Sequence, residues 1–138
     1  MKLFLRLALI LALVTPAHAG PFGFDGGGGH RSSSLARAMH DIGKNPTGRS
    51  RAWCGCWMQR IHPDGPGCLA ASWARYNRPG GYTPGNIVVM PHHVAKIIRC
   101  EGSRCLTISG NHAGRSGHRT VGTGWYPKSR FIAVRAAW

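Results

Sequence analysis

Gly85-Asn86-Ile87-Val88-Val89-Met90-Pro91-His92-His93-Val94 is the stretch at which the chain changes its periodicity. Ile87 to Met90 is an unbroken run of β-branched and apolar residues between turn formers, the composition of a buried strand. Between Ser34 and Tyr76 the apolar residues before it recur in helical spacing, interrupted by turns. Leu35, Ala38, Met39 and Ile42 fall at i, i+3, i+4 and i+7, with Ser34 placed to cap and Gly43 to stop a short amphipathic helix. After the break Asn45-Pro46-Thr47-Gly48, a second helix is predicted from Arg51 to about Ile61, capped by Ser50, with Cys54, Trp57, Met58 and Ile61 on one face. Pro63 to Gly67 reads as a turn, and Leu69, Trp73 and Tyr76 mark a third helix that ends at Arg78-Pro79-Gly80-Gly81. On the other side of the quoted stretch, His92 to Arg99 is expected to pair with Leu106 to Ser109 across a short hairpin. Residues 111–124 read as a polar loop and Phe131 to Val134 as a last strand. The fold class is therefore α+β, with N-terminal helices packed on a small antiparallel sheet.

The chain's start indicates its compartment. Lys2 and Arg6 flank the apolar run Leu3 to Val14, followed by Ala17-His18-Ala19, which reads as a secretory signal peptide over residues 1–19 rather than a retained anchor. Residues 20–33, with Gly26 to Gly29, read as a flexible leader, and residues 34–138 as one domain. A periplasmic or secreted location, no transmembrane anchor after cleavage and a monomeric state are expected. Export also favours disulfides. Five cysteines leave one thiol over, and the short spacings pair Cys56 with Cys68 and Cys100 with Cys105. Cys54 is then free.

The chain carries 18 Lys and Arg against 4 Asp and Glu. Loss of Lys2 and Arg6 with the signal leaves 16 against 4, a formal charge of about +12, so an anionic partner is expected: nucleic acid, an anionic membrane surface or acidic peptidoglycan. The scarcity of acids argues against glycoside hydrolysis by paired carboxylates, which needs two of them flanking the bond. It also argues against a zinc peptidase with a glutamate base. Cys54-x-Cys56 does not have zinc-ligand spacing, and no metal or cofactor is expected.

Cys54 falls in the first turn of the second helix, where unpaired N–H groups and the helix dipole favour negative charge on a nucleophile. On the residues alone an inert, buried cysteine is an equal reading. His92 and His93 alternate across a strand, so one of them is the candidate base. His93 is assigned, on the expectation that its parity, shared with Ala95 and Ile97, faces the second helix. Asn111 ends the partner strand and could orient the imidazole, although Asn also stands at such positions for its tolerance of left-handed backbone. His112 and Arg115 lie in the 111–124 segment, which either grips an anionic substrate or is merely solvated.

Trp53-Cys54, Gly85-Asn86-Ile87-Val88-Val89, His93-Val94, Ser109-Gly110-Asn111 and the closing Tyr126 to Arg135 together resemble the CHAP and NlpC-like cysteine amidases and peptidases of cell walls. The likeness runs from about Ser34 to the C-terminus. It implies a reduced papain-like fold, catalytic Cys54, His93 and Asn111, contacts to substrate from Trp53, Ser109, His112 and Arg115, and cleavage of amide bonds in peptidoglycan stem peptides. Many CHAP members carry Glu where Ser109 stands, so Asn111 would orient His93 without an acid. A non-catalytic binder of wall polymer on the same fold is the alternative. A secreted nucleic-acid-binding protein is a third reading, weakened by the lack of an aromatic-basic strand motif.

Overall fold

The computed structural model describes residues 29–113 and 117–137, so the expected signal peptide and most of the leader lie outside the described residues. Two α-helices, α1 (Gly29–His40) and α2 (Cys54–Ile61), precede a 3-10 helix (Ala70–Arg75). Five strands follow: β1 (Ile87–Met90), β2 (His93–Glu101), β3 (Arg104–Ala113), β4 (Arg119–Pro127) and β5 (Ala133–Arg135). They form one antiparallel sheet in the order β4-β3-β2-β1-β5. The α+β reading and the change of periodicity at Ile87 are as expected. Among the described residues no helix is long and apolar enough to cross a membrane.

Several boundaries differ from expectation. α1 begins at Gly29, inside the stretch read as leader, so Ser34 is a buried mid-helix residue and not a cap. α2 begins three residues later than expected, at Cys54 itself, preceded by Trp53 with no side-chain cap. The third helix is a 3-10 helix, not an α-helix. The largest correction concerns residues 111–124, read as a loop: β3 continues to Ala113, and β4 starts at Arg119 and pairs along it. The glycines that suggested a loop serve a strand. A Cβ on Gly122 would meet the His112 ring at 2.7 Å, and one on Gly124 the rings of Tyr126 at 3.3 Å and His112 at 3.4 Å. Glycine inside a strand marks such close approaches.

The sheet's two faces carry separate apolar clusters. Ile87, Val89, Val94, Ile108 and Val121 pack with Trp53, Trp57, Met58 and Ile61 of the α2 region and with Trp73 and Tyr76. Val88, Met90, Ala95 and Ile97 cluster on the opposite face with Tyr126, Phe131 and Val134. Both expected disulfides are present: Cys56–Cys68 ties α2 to the segment before the 3-10 helix, and Cys100–Cys105 closes the β2–β3 hairpin.

The acids that the structure describes are all engaged in holding the fold. Asp41 accepts from Trp57 Nε1 at 2.9 Å, Asp64 from Tyr76 Oη at 3.0 Å, and Glu101 from Arg99 Nε at 2.8 Å. Bonding to Asp64 and, first, burial push the Tyr76 hydroxyl up to about 12. In the α2-facing layer Lys96 is fully buried, and its Nζ lies 2.8 Å from Nε2 of His62. Burial first, then Arg37, lowers the Lys96 ammonium to about 7. Burial and then Lys96 lower His62 to about 3, with Asp64 opposing and Arg37 adding.

Both groups bind protons less well folded than unfolded, so the unfolded chain carries more protons between each pair of values, and stability rises with pH there. For Lys96 the window runs from about 7 up toward 10.5, and for His62 from about 3 to 6.5. The melting temperature should therefore climb from pH 5 through pH 9, and Lys96→Met should flatten the part above pH 7. A wild-type curve that is level or falling from pH 7 to 9 would contradict this account.

Candidate active site

Cys54 occupies the first position of α2 and is the one free cysteine among the described residues. It is delivered by a strained turn, since Ala52 holds φ 54°, a left-handed backbone that side-chain-bearing residues rarely adopt. Trp53 then packs its ring against Gly110 of β3, where a Cβ would lie 2.6 Å from Trp53 Cζ3 and 2.7 Å from Trp57 Cβ. Glycine at 110 thus lets the start of α2 sit directly on β3, one residue from Asn111. Cys54 is only 4 % exposed, and it lines a pocket with Ala52, Cys68, Leu69, Ala70, Ala71, Pro91 and His92. The walls are small and apolar, apart from the thiol and His92.

His93 is the first residue of β2. Its parity partners Ala95 and Ile97 belong to the cluster on the face away from α2, whereas Val94 packs toward α2. The reason given for assigning His93, that this parity faces the helix, is therefore corrected. Its ring stands 6.1 Å from that of Tyr126, over which Arg130 is placed at 5.6 Å. Burial first, then His112 and Arg130, lowers its pKa to about 4, so the imidazole is neutral at pH 7 and its environment opposes the imidazolium.

Asn111 takes φ 61°, which accounts for Asn at this position in part by backbone tolerance alone. It lies in a bulge, since β3 spends three steps from Ser109 to His112 while β4 spends two from Gly122 to Thr120. The β2–β3 ladder pairs Lys96 with Ile108, and continuing that register sets Asn111 opposite His93. Nε2 of His93 and Oδ1 of Asn111 are each buried without a hydrogen-bond partner, and so is Nε1 of Trp53. A buried polar atom left unpaired costs about 1–3 kcal/mol, and three at one end of a sheet are a concentration that stability alone does not favour.

The structure brings Cys54 and His92 to one pocket at the start of α2, whereas His93 belongs to the sheet face away from α2 and Asn111 follows Gly110, on which Trp53 is seated. No hydrogen bond links Cys54 to either histidine, or His93 to Asn111. Of the residues expected to touch substrate, Trp53 and Ser109 are buried, at 0 % and 1 % exposed, so they present no surface. His112 stands over Gly122, near His93, and Arg115 lies outside the described residues. Tyr126 and Arg130 entered the sequence reading only within the closing Tyr126 to Arg135 stretch, and the small residues Ala70 and Ala71 were not singled out. The Gly122-x-Gly124-x-Tyr126 alternation was the available signal for the first of these. Among the described residues no group of three or more His, Cys, Asp or Glu could hold a metal ion. No family model, curated protein or solved structure matches the chain.

One testable consequence follows from the burial of Cys54. Without reductant, denatured protein should take up one equivalent of iodoacetamide per chain, at Cys54. Native protein should react markedly more slowly than the denatured chain. Uptake at any other cysteine, read by peptide mapping, would disprove the pairing.

Proposed function

We propose that the chain is an exported cysteine amidohydrolase or peptidase of reduced papain-like fold, acting on amide bonds of peptidoglycan stem peptides. The observation that carries this reading is the complementary pair of orphaned atoms, His93 Nε2 and Asn111 Oδ1. Extending the β2–β3 register from Lys96 and Ile108 sets them opposite each other, and Asn111 follows Gly110, on which Trp53, the neighbour of the free thiol, is seated. If Nε2–H donates to Asn111 Oδ1, the tautomer is fixed and the Nδ1 lone pair is left for the thiol proton. The contact with Cys54 then has to be made past the end of β2 and not across the helix–sheet interface.

In the reaction, Cys54 Sγ attacks the carbonyl carbon as His93 takes the thiol proton. The oxyanion forms against the N–H groups that begin α2, and the C–N bond breaks as His93 returns the proton to the leaving amine. Water, deprotonated by His93, then attacks the thioester, the C–S bond breaks and the thiol regains its proton. The formal charge of about +12 suits an anionic wall polymer.

The second reading, a non-catalytic binder on the same fold, is favoured by one observation: Ser109 stands where many CHAP members have an acid, and among the described residues no carboxylate contacts His93. A nucleic-acid-binding role rests on charge alone.

The test is release of new amino groups from purified peptidoglycan, with folding checked by circular dichroism. Cys54→Ala should abolish release, and His93→Ala should lower it by about 10²-fold or more. Asn111→Gly, which tolerates the left-handed backbone and so removes the side chain alone, should lower it by roughly ten- to a thousandfold. His92→Ala should retain most activity. Loss in His92→Ala with activity kept in His93→Ala would make His92, which shares the pocket of Cys54, the base. Full activity in Cys54→Ala would leave the binder.

A further inference from the structure

At the far end of α2, eight residues or roughly 12 Å of helix from Cys54, lies a cavity of ≈ 560 Å³ that the hydrolase reading does not use. Its volume falls in the range of small-molecule sites. Its wall carries Arg37 of α1, His62 and Asp64 following α2, and Tyr76. One guanidinium N–H of Arg37 donates to the carbonyl of Ile61 at 3.3 Å, which holds the exposed side chain against the rim with its remaining donors uncommitted there. Asp64 is engaged by Tyr76 Oη.

Behind His62 stands the fully buried Lys96, Nζ to Nε2 at 2.8 Å. Among the described residues no carboxylate lies within ion-pair distance of Lys96. A buried ammonium without a counter-charge is strongly unfavourable, and an anion in the neighbouring cavity would offset that cost. The same contact sets the chemistry of the wall. An ammonium can only donate, so Nε2 accepts from Lys96 and the ring proton resides on Nδ1, making His62 a donor whose N–H is polarised by the charge behind it.

We propose that this cavity is a binding site for a small monocarboxylate, held by the Arg37 guanidinium and the Nδ1–H of His62, with Lys96 supplying the charge behind the ring. Asp64 on the same wall repels a second negative charge, which selects against dianions. The proposal does not depend on hydrolase activity at Cys54.

The test is titration of the full chain at pH 6 with sodium acetate, sulfate or chloride at matched ionic strength, following the melting temperature and the His62 ring resonances. Acetate should raise the melting temperature saturably and shift the His62 Nδ1 signal, while sulfate and chloride do neither. Arg37→Gln should weaken the apparent Kd for acetate about tenfold or more, as loss of a charge-assisted hydrogen bond implies. Arg60→Gln, exposed on α2 and outside the cavity, should leave it unchanged. Acetate acting like chloride, or an unchanged Kd in a folded Arg37→Gln protein, would overturn the proposal. If Arg37→Gln does not fold, the wild-type His62 titration decides: a saturable shift specific to acetate supports the site, and its absence refutes it.

Discussion

The contact on which the rest of this structure depends is the seating of Trp53 and Trp57 on Gly110. Two indoles, both fully buried, meet a backbone position without a side chain, and this brings the start of α2 to the end of β3. Burial of large aromatic rings supplies the driving force. The geometry is then locked from two sides. Trp57 donates to Asp41 after α1, and Cys56 is bonded to Cys68 on the segment leading to the 3-10 helix. A Cβ at Gly55 would run into the carbonyl of Cys68, so that segment crosses α2 at its first turn with no room to spare. Cys54 inherits its position from these neighbours.

Polar groups in this protein are distributed unevenly, and the unevenness has a chemical meaning. The described acids are consumed by structural hydrogen bonds, which leaves the interior short of negative charge. Two regions show the consequence. Near the start of α2, His93, Asn111 and Trp53 each bury a polar atom without a partner; at its end, Lys96 buries a charge with no acid beside it among the described residues, and Asn86 Oδ1 and Arg135 Nε are further orphans by β1 and β5. Satisfied cores do not usually contain such groups, because each is a local loss of stability. Both ends of α2 are therefore places where binding a further group would compensate a deficit already built into the fold.

The two faces of the sheet also differ in kind. The α2-facing side is a core of three tryptophans and aliphatic residues, whereas the other side holds the smaller cluster around Ala95 and Ile97, bordered by Tyr126, Arg130 and His112. His93 lies at the junction, buried enough to stay neutral and close enough to two cationic or titratable neighbours to resist protonation further. The neutrality of this imidazole arises from packing on the far face of the sheet, not from the helix.

Much of this was legible in the residues themselves. Period and composition were enough for the α+β class, the strand at Ile87 to Met90, the hairpin closed by Cys100 and Cys105, and the pairing that leaves Cys54 free, because these depend on local spacing and on the parity of five cysteines. What the sequence could not reveal were features that depend on contacts between distant segments. Glycines at 122 and 124 look like a loop until the rings of His112 and Tyr126 are placed over them. Ser34 looks like a cap until α1 is seen to start earlier. The direction of His93 required knowing which face α2 covers, and strand alternation says only that His92 and His93 differ. The Lys96–His62 pair joins residues 34 positions apart and had no local signal at all. Short-range rules determine which elements form; which side chains meet is decided by how the helices settle on the sheet, and that is a property of the packed whole.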